Sequence, residues 1–144
     1  MSDQRRAVID ADGLILGRMA SLIAKRLLEG ERIEIVNAEN AVVSGKRLQI
    51  INARKDFLNV GGRTKKGPLH HRRPNDIVRR TIRGMLPYRK TRGSDAFRRL
   101  KVHIGVPQEL ESSEKVSLSE AHLSRLNHRY ITVGEIAKSI GWKV

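Results

Sequence analysis

Residues 6–37, with the sequence RAVIDADGLILGRMASLIAKRLLEGERIEIVN, decide the fold of this 144-residue chain. The run over 6–10 has the apolar character of a short buried strand, and apolar residues then recur at helical spacing over 14–28. Gly30 is a typical helix stop, and 32–37 alternates like a strand rich in β-branched residues. A strand, a helix and a second strand at this spacing predict a right-handed βαβ unit and a parallel sheet.

Downstream of this unit the sequence predicts four more elements of secondary structure. They are a helix from residue 44 to about 57, a helix from Pro74 to about 86, a short helix over 95–99 capped by Ser94, and a strand over 100–105. In the first of these helices Leu48 and Ile51 are expected to face inward. The remaining segments are predicted to be loops, basic at 59–73 and 88–93 and acidic at 109–120.

The C-terminal part of the chain carries a separate helix signal. Thr132 and Glu135 form a capping box, in which each side chain satisfies a backbone N–H at the start of a helix. Ile131 and Ile136 stand where a hydrophobic staple would pack. Together these features predict a helix over 132–140.

The positive charge of the chain is concentrated in residues 54–101. This segment holds 16 Lys and Arg and 3 Asp and Glu, a net charge of +13, whereas the other 96 residues carry a net charge of +1. Like charges at this density repel one another, so the segment predicts a polyanionic partner held by phosphate contacts. Arginine outnumbers lysine here, and its planar fork suits bidentate phosphate contacts. Because the chain has only five aromatic residues, backbone and shape recognition are expected rather than base stacking.

Three predicted elements bring the basic residues together: the loop 59–73, the helix 74–86 and the stretch 88–101. On a helical wheel of 74–86, apolar residues share one side and arginines lie on the opposite side. The apolar residues are Ile77, Val78, Ile82 and Met85, and the arginines are Arg79, Arg80 and Arg83. The predicted nucleic-acid contacts are Arg54, Lys55, Arg63, Lys65, Lys66, His70, His71, Arg72, Arg73, Arg79, Arg80, Arg83, Arg89, Lys90, Arg92, Arg98, Arg99 and Lys101.

The sequence Ser44-Gly45-Lys46 at the start of a predicted helix is similar to part of a nucleotide-binding P-loop. The full motif needs a glycine five residues before Gly45 and a Ser or Thr after Lys46. Here those positions are Asn40 and Arg47. The N–H groups at a helix N-terminus can still hold one phosphate of a nucleic-acid backbone. The three residues are therefore a candidate phosphate contact, with an ordinary helix N-cap as the alternative.

Several classes of function are excluded by what the sequence lacks. There are no cysteines, which excludes disulfides, thiolate zinc sites and cysteine nucleophiles. His70 and His71 are adjacent and cannot share a helix face, and the other histidines lack carboxylates at ligand spacing, so no metal and no cofactor are expected. No apolar run approaches the roughly 18 residues of a membrane span, and no signal-peptide core precedes the first strand. A cytoplasmic protein without a membrane partner is therefore expected.

Six separated motifs resemble, in the family's own order, the large-subunit ribosomal protein L13 family (universal uL13). They are Asp10-Ala11-Asp12-Gly13, Leu16-Gly17-Arg18-Met19-Ala20-Ser21, Ile35-Val36-Asn37-Ala38-Glu39, Ser44-Gly45-Lys46, Gly84-Met85-Leu86-Pro87 and Leu100-Lys101-Val102-His103-Ile104-Gly105. The match covers about residues 7–107. The compact loop 59–73 and the tail after Pro107 are similar to the archaeal and eukaryotic branch of the family.

The resemblance implies a three-layer α/β/α domain around a mainly parallel four-stranded sheet. Residues 1–107 would form an L13-like α/β domain with a basic insertion at 59–73, and 108–144 a C-terminal extension. The implied function is that of a structural constituent of the large ribosomal subunit, without a catalytic site, that binds 23S-type rRNA and supports subunit assembly. The implied partners are this rRNA and neighbouring large-subunit proteins, with a ribosome-associated location and no small-molecule substrate.

Two other functions would use the same residues. A small nucleotide-binding α/β enzyme would use residues 44–46, and a shift of its melting temperature with ATP or GTP would reveal it. A DNA-binding protein would place the arginine helix in a groove of the duplex. Comparable affinity for duplex DNA and for folded rRNA at physiological salt would favour that function.

Overall fold

A computed structural model describes residues 5–59 and 71–143 of the chain. The strands are β1 (Arg6–Asp10), β2 (Arg32–Val36), β3 (Val42–Ser44), β4 (Leu100–Val102), β5 (Lys115–Val116) and β6 (Tyr130–Thr132). The helices are α1 (Leu16–Leu28), α2 (Arg47–Asn59), α3 (Pro74–Gly84), α4 (Thr91–Arg98) and α5 (Val133–Ser139). Short 3-10 turns lie at Ala38–Asn40, Gln108–Leu110, Ser119–Ala121 and Leu123–Arg125.

The centre of the fold is a four-stranded sheet in the order β4-β2-β1-β5, in which each pair of neighbours is parallel. β1 and β2 pair along their whole length, so that Ile9 lies beside Ile35. β3 and β6 form a separate antiparallel pair. The prediction of a mixed α/β fold around a mainly parallel four-stranded sheet is confirmed, as is the β1-α1-β2 unit on which it was based.

The two faces of the sheet are covered to different extents. Ile9, Ile33 and Ile35 point to one face, where they join a large apolar cluster with residues of α1, α3 and α4. Their neighbours Val8 and Val36 point to the other face, since side chains alternate along a strand. There they meet Val106 and Leu110, so the third layer of the expected α/β/α arrangement is a 3-10 turn in the described part of the chain.

Helix α1 follows the predicted pattern closely. Its residues Leu16, Met19, Ala20, Ile23 and Leu27 are buried, and together they form the stripe that covers the sheet. The chain then turns directly into β2 at Gly30, whose φ of +101° lies in the left-handed region that glycine adopts without strain. The apolar spacing and this stop therefore account for both the position and the length of the helix.

Two predictions about the orientation of apolar residues are wrong. Leu48 is 73% exposed, whereas Ile51, which was also expected to face inward, is buried against Ile131 and Ile136. Met85 is 43% exposed, since α3 ends at Gly84 and Met85 follows it as the C-cap.

The region after α3 also differs from the prediction. α4 begins at Thr91, so residues 91–93 are helical, and Ser94 lies inside the helix with its hydroxyl donating to the Thr91 carbonyl at 3.3 Å. The strand predicted over 100–105 ends at Val102. The acidic segment contains β5, which has only two residues and therefore shows no alternation in the sequence.

The C-terminal helix prediction is confirmed. The Thr132 hydroxyl accepts a hydrogen bond from the backbone N–H of Glu135 at 3.2 Å, which is the N-cap half of the capping box, while the Glu135 carboxylate lies 3.8 Å from Arg47. Val133, Ala137 and Ile140 belong to the same apolar cluster as the helices on the sheet. The division of the chain at residue 107 stays a prediction, while residues on both sides of it share this core.

Gly93 provides a test of how closely α4 packs on the preceding turn. A Cβ at this position would lie 2.0 Å from the Pro87 carbonyl oxygen, which is backbone and cannot move aside easily. We expect Gly93→Ala to lower the free energy of unfolding by about 3 kcal/mol. Gly17→Ala is the control: a Cβ there meets nothing within 4 Å, and alanine should stabilise α1 by about 0.5 kcal/mol. Urea unfolding measures both, and equal midpoints for Gly93→Ala and the native chain would contradict the packing.

Candidate nucleic-acid interface

Helix α3 presents a row of arginines because its other side is held in the core. Pro74 occupies the first turn, where its missing N–H has no cost, and Ile77, Val78 and Ile82 are buried. The opposite side carries Arg79 and Arg80, which are exposed, and Arg83, which is half-buried. The orientation predicted for these arginines is therefore the one observed.

Two of these arginines lie on aromatic rings. The Arg79 guanidinium carbon is 4.1 Å from the centroid of the Phe97 ring, and that of Arg83 is 4.0 Å from the centroid of the Tyr88 ring. The two rings meet edge to face, with centroids 5.6 Å apart at an angle of 85°. Cation–π contacts of this kind contribute about 0.5–1 kcal/mol each at exposed sites. We call Arg79, Arg80, Arg83, Tyr88 and Phe97 the arginine face.

The stacking contacts orient the guanidinium groups without using their hydrogen-bond donors. A guanidinium contacts a ring through its flat face, whereas its N–H groups lie at the edges of the plane. Tyr88 and Phe97 therefore hold Arg83 and Arg79 in place while the N–H donors of both stay available to an acceptor such as a phosphate oxygen. No local sequence pattern indicates this role of Tyr88 and Phe97, which lie nine positions apart in the chain.

A cleft of about 230 Å³ lies at the arginine face. It is lined by His71, Asp76, Arg79, Arg80, Arg83, Tyr88 and Phe97. His71 Nδ1 is 3.8 Å from the Asp76 carboxylate, which is the single acidic group in this lining. Three arginines around one carboxylate leave a positive surplus, which fits an anionic ligand.

The predicted basic contacts on and just before α4 differ in their surroundings. Arg89, Lys90, Arg92 and Arg98 are exposed, and Arg98 lies 3.8 Å from Asp95 one helical turn away. Arg99 has a structural contact instead, because its Nη2 donates to the Leu27 carbonyl at the end of α1 at 2.6 Å. The predicted role of these side chains in binding stays a prediction.

Other predicted contacts are more distant or lie outside the described residues. On α2, Arg54 lies over the Phe57 ring at 5.7 Å, and burial lowers its pKa, while Lys55 is exposed. Arg72 and Arg73 are exposed just before α3. The remaining predicted contacts, which lie outside the described part of the chain, are Arg63, Lys65, Lys66 and His70.

The candidate phosphate contact at residues 44–46 has one donor fewer than its position suggests. Ser44 ends β3, and the backbone N–H of Gly45 donates to the Arg129 carbonyl at 2.7 Å. That N–H is therefore engaged within the chain. Gly45 has a φ of +133°, which favours glycine, so the turn between β3 and α2 explains why a glycine occupies this position.

A second basic cluster surrounds Glu34 on the sheet face that the helices leave uncovered. Glu34 is 8% exposed, and its carboxylate accepts a hydrogen bond from Arg6 at 2.9 Å and lies 3.5 Å from His103 Nε2. Burial alone would raise the pKa of Glu34, but the hydrogen bond and charge of Arg6, with His103 close by, outweigh it and lower the pKa. Arg32 precedes Glu34 by two residues on the same face of β2, and Lys101 lies opposite Glu34 on β4.

Within 5–59 and 71–143, no three His, Asp or Glu residues are grouped so that they could hold a metal ion. None of the helices in these ranges is both long enough and apolar enough to cross a membrane.

Comparison with known proteins gives a consistent result. The family model described as "Ribosomal protein L13" matches residues 4–109. The large ribosomal subunit protein uL13 of Methanosarcina barkeri is 49% identical over 138 residues, which cover 94% of this chain and 98% of that protein. The proteins of the same name from Methanocaldococcus jannaschii and Methanococcoides burtonii are 48% and 47% identical, each with 94% of this chain and 98% of the relative covered.

The environment of Glu34 predicts a pH dependence of stability. Its pKa is lower in the folded chain than the ordinary value of 4.5, so the ionised carboxylate stabilises the fold above about pH 4.5. This contribution is lost as the pH falls from there through the folded pKa. Glu34→Gln should therefore lose less unfolding free energy than the native chain between pH 6 and pH 3. Urea unfolding at both pH values measures this, with the exposed Glu109→Gln as control, and equal losses in Glu34→Gln and the native chain would contradict it.

Proposed function

Because the chain belongs to the ribosomal protein L13 family, we propose that it is a structural constituent of the large ribosomal subunit. It would bind 23S-type rRNA through the arginine face and the basic residues around α4. The observation that carries this proposal is the stacking of Arg79 and Arg83 on aromatic rings. The family is not enzymatic, and the chain is not an enzyme. Its proposed function is therefore to bind rRNA.

Stacking reduces the side-chain entropy that Arg79 and Arg83 would lose when they bind a folded RNA. A free arginine side chain loses about 2 kcal/mol of rotamer freedom when it is held in one geometry. Arg79 and Arg83 have lost part of this freedom before the RNA arrives. Phosphate contacts from fixed positions also select an RNA whose backbone passes through those positions, so the affinity comes from charge and the specificity from RNA shape.

The archaeal relatives agree with the expected archaeal and eukaryotic type of sequence. A ribosomal location in the cytoplasm, contacts with neighbouring large-subunit proteins and support of subunit assembly are part of the same proposal. The nucleotide-binding alternative is weakened by the engaged N–H of Gly45. The DNA-binding alternative has no observation that favours it over RNA.

The proposal is tested by removing the two stacked charges. Arg79→Gln/Arg83→Gln should weaken binding to purified large-subunit rRNA by about tenfold and make the salt dependence of log K shallower by about 1.5, the value for two phosphate contacts. Lys25→Gln/Lys138→Gln removes two exposed charges from α1 and α5 and should leave the affinity nearly unchanged. Filter binding at several KCl concentrations measures both. Equal effects of the two variants would contradict the proposal, and equal native affinity for duplex DNA would favour the DNA-binding alternative.

Lysine substitutions separate charge from stacking. Arg79→Lys/Arg83→Lys keeps both charges but removes the planar groups that stack on Phe97 and Tyr88. We expect the salt dependence of the native chain to be retained, with an affinity about threefold lower, because point charges on flexible stems are less well positioned. The same titration measures it. Full native affinity in the lysine variant would show that stacking does not contribute.

A further inference from the structure

The sheet face opposite α1 and α3 carries a basic cavity whose function the arginine face does not explain. It has a volume of about 270 Å³ and lies at the start of β1, β2 and β4. Its lining consists of Arg6, Arg32, Glu34, Arg98, Arg99 and Lys101. Five cationic residues therefore surround one carboxylate, and we call this group the Glu34 cluster.

The surplus of charge distinguishes this cavity from its neighbour. A larger concavity of about 830 Å³ beside β1 and β5 is lined by three arginines and three glutamates among other residues. Its charges balance, so it has no preference for an anion. Among the described residues, Glu34 lies in the lining of the Glu34 cluster and Asp95 lies 3.8 Å from Arg98. The five cations still outnumber these carboxylates, and this surplus favours an anionic ligand.

The Glu34 cluster is also held rigidly. Arg6 and Arg32 are direct neighbours in the register of β1 and β2, and Glu34 is the neighbour of Lys101 across β2 and β4. The Glu34 carboxylate fixes the Arg6 guanidinium by a hydrogen bond of 2.9 Å. Charges placed on paired strands keep their spacing better than charges on loops, so the cluster presents its cations at defined positions.

We propose that the Glu34 cluster binds a second segment of RNA backbone, on the opposite side of the sheet from the core in which α3 is packed. This inference rests on the proposed function, because it assumes that the chain binds RNA at all. It adds Arg6 and Arg32 to the RNA contacts, two residues outside the basic segment 54–101. The chain would then be held by RNA on two sides of its sheet.

The chemistry of the lining favours RNA over an acidic segment of a protein. None of the six lining residues is apolar. Protein partners gain most of their affinity from a desolvated apolar or aromatic centre, which this cavity lacks. A phosphate backbone needs only cations at suitable spacing, and release of its counterions provides the driving force.

The test uses the full chain and purified large-subunit rRNA. Arg6→Gln/Arg32→Gln should weaken binding by about tenfold and lower the salt slope by about 1.5, as expected for two lost phosphate contacts. The Lys25→Gln/Lys138→Gln control should stay near the native affinity. Combined with Arg79→Gln/Arg83→Gln, the two losses should multiply to about a hundredfold, because well-separated sites act independently.

A single variant keeps the test valid if the double variant fails to fold. Arg32→Gln leaves the Arg6–Glu34 pair in place and should weaken binding by about threefold, with a salt slope lower by about 0.7. If the cluster variants bind RNA as tightly as the control while the arginine-face variant binds weakly, this inference is overturned and the proposed function stands. Normal RNA binding with poor incorporation into large subunits would also overturn it, in favour of a protein partner. If the native chain itself does not bind the rRNA, the proposed function fails.

Discussion

The structure depends on the burial of one face of the parallel sheet. Ile9, Ile33 and Ile35 on that face are completely inaccessible to solvent, and α1 and α3 supply the side chains that cover them. Full burial of each such side chain contributes about 1.5–3 kcal/mol. Because α3 must turn Ile77 and Ile82 towards this core, its arginines have to point outwards. The apolar core thus determines where the arginine face lies.

Burial of the same core stabilises the fold against the repulsion between its concentrated positive charges. The segment 54–101 carries a net charge of +13, which disfavours a compact state. Part of the repulsion is offset locally, by the aromatic rings beneath Arg79 and Arg83 and by the Asp95 carboxylate, which lies 3.8 Å from Arg98. The proposed rRNA partner would compensate the remaining charge, so the sequence combines a stable apolar centre with basic surfaces suited to a polyanion.

Much of the fold could be predicted because the decisive patterns are local. The apolar spacing of α1, the proline that begins α3 and the capping box of α5 each lie within a few residues, and each predicted its element correctly. The start of α4 was missed because Thr91 and Gly93 are poor helix formers. Their helix is set by close packing on the Pro87 backbone, which no local pattern reveals.

The candidate sites were harder to predict because they depend on contacts distant in sequence. The arginines of α3 were visible as a periodic stripe, but the rings beneath them come from a turn and from the next helix. The Glu34 cluster depends on the register of three strands, so the surroundings of Arg6 and Arg32 could not be seen before the sheet was built. At the arginine face the sequence indicated the charge, whereas Arg6 and Arg32 of the Glu34 cluster lie outside the basic segment 54–101.

The central claim is that this chain is a firmly bound RNA-contacting component of the large ribosomal subunit. The most direct measurement is sedimentation of a cell lysate through sucrose gradients at low and high salt, with the chain traced by antibody. We expect the chain to migrate with the large subunit and to stay there in high salt, since many fixed contacts must be broken together. A chain found mainly in the light fractions, or released by modest salt, would contradict the account.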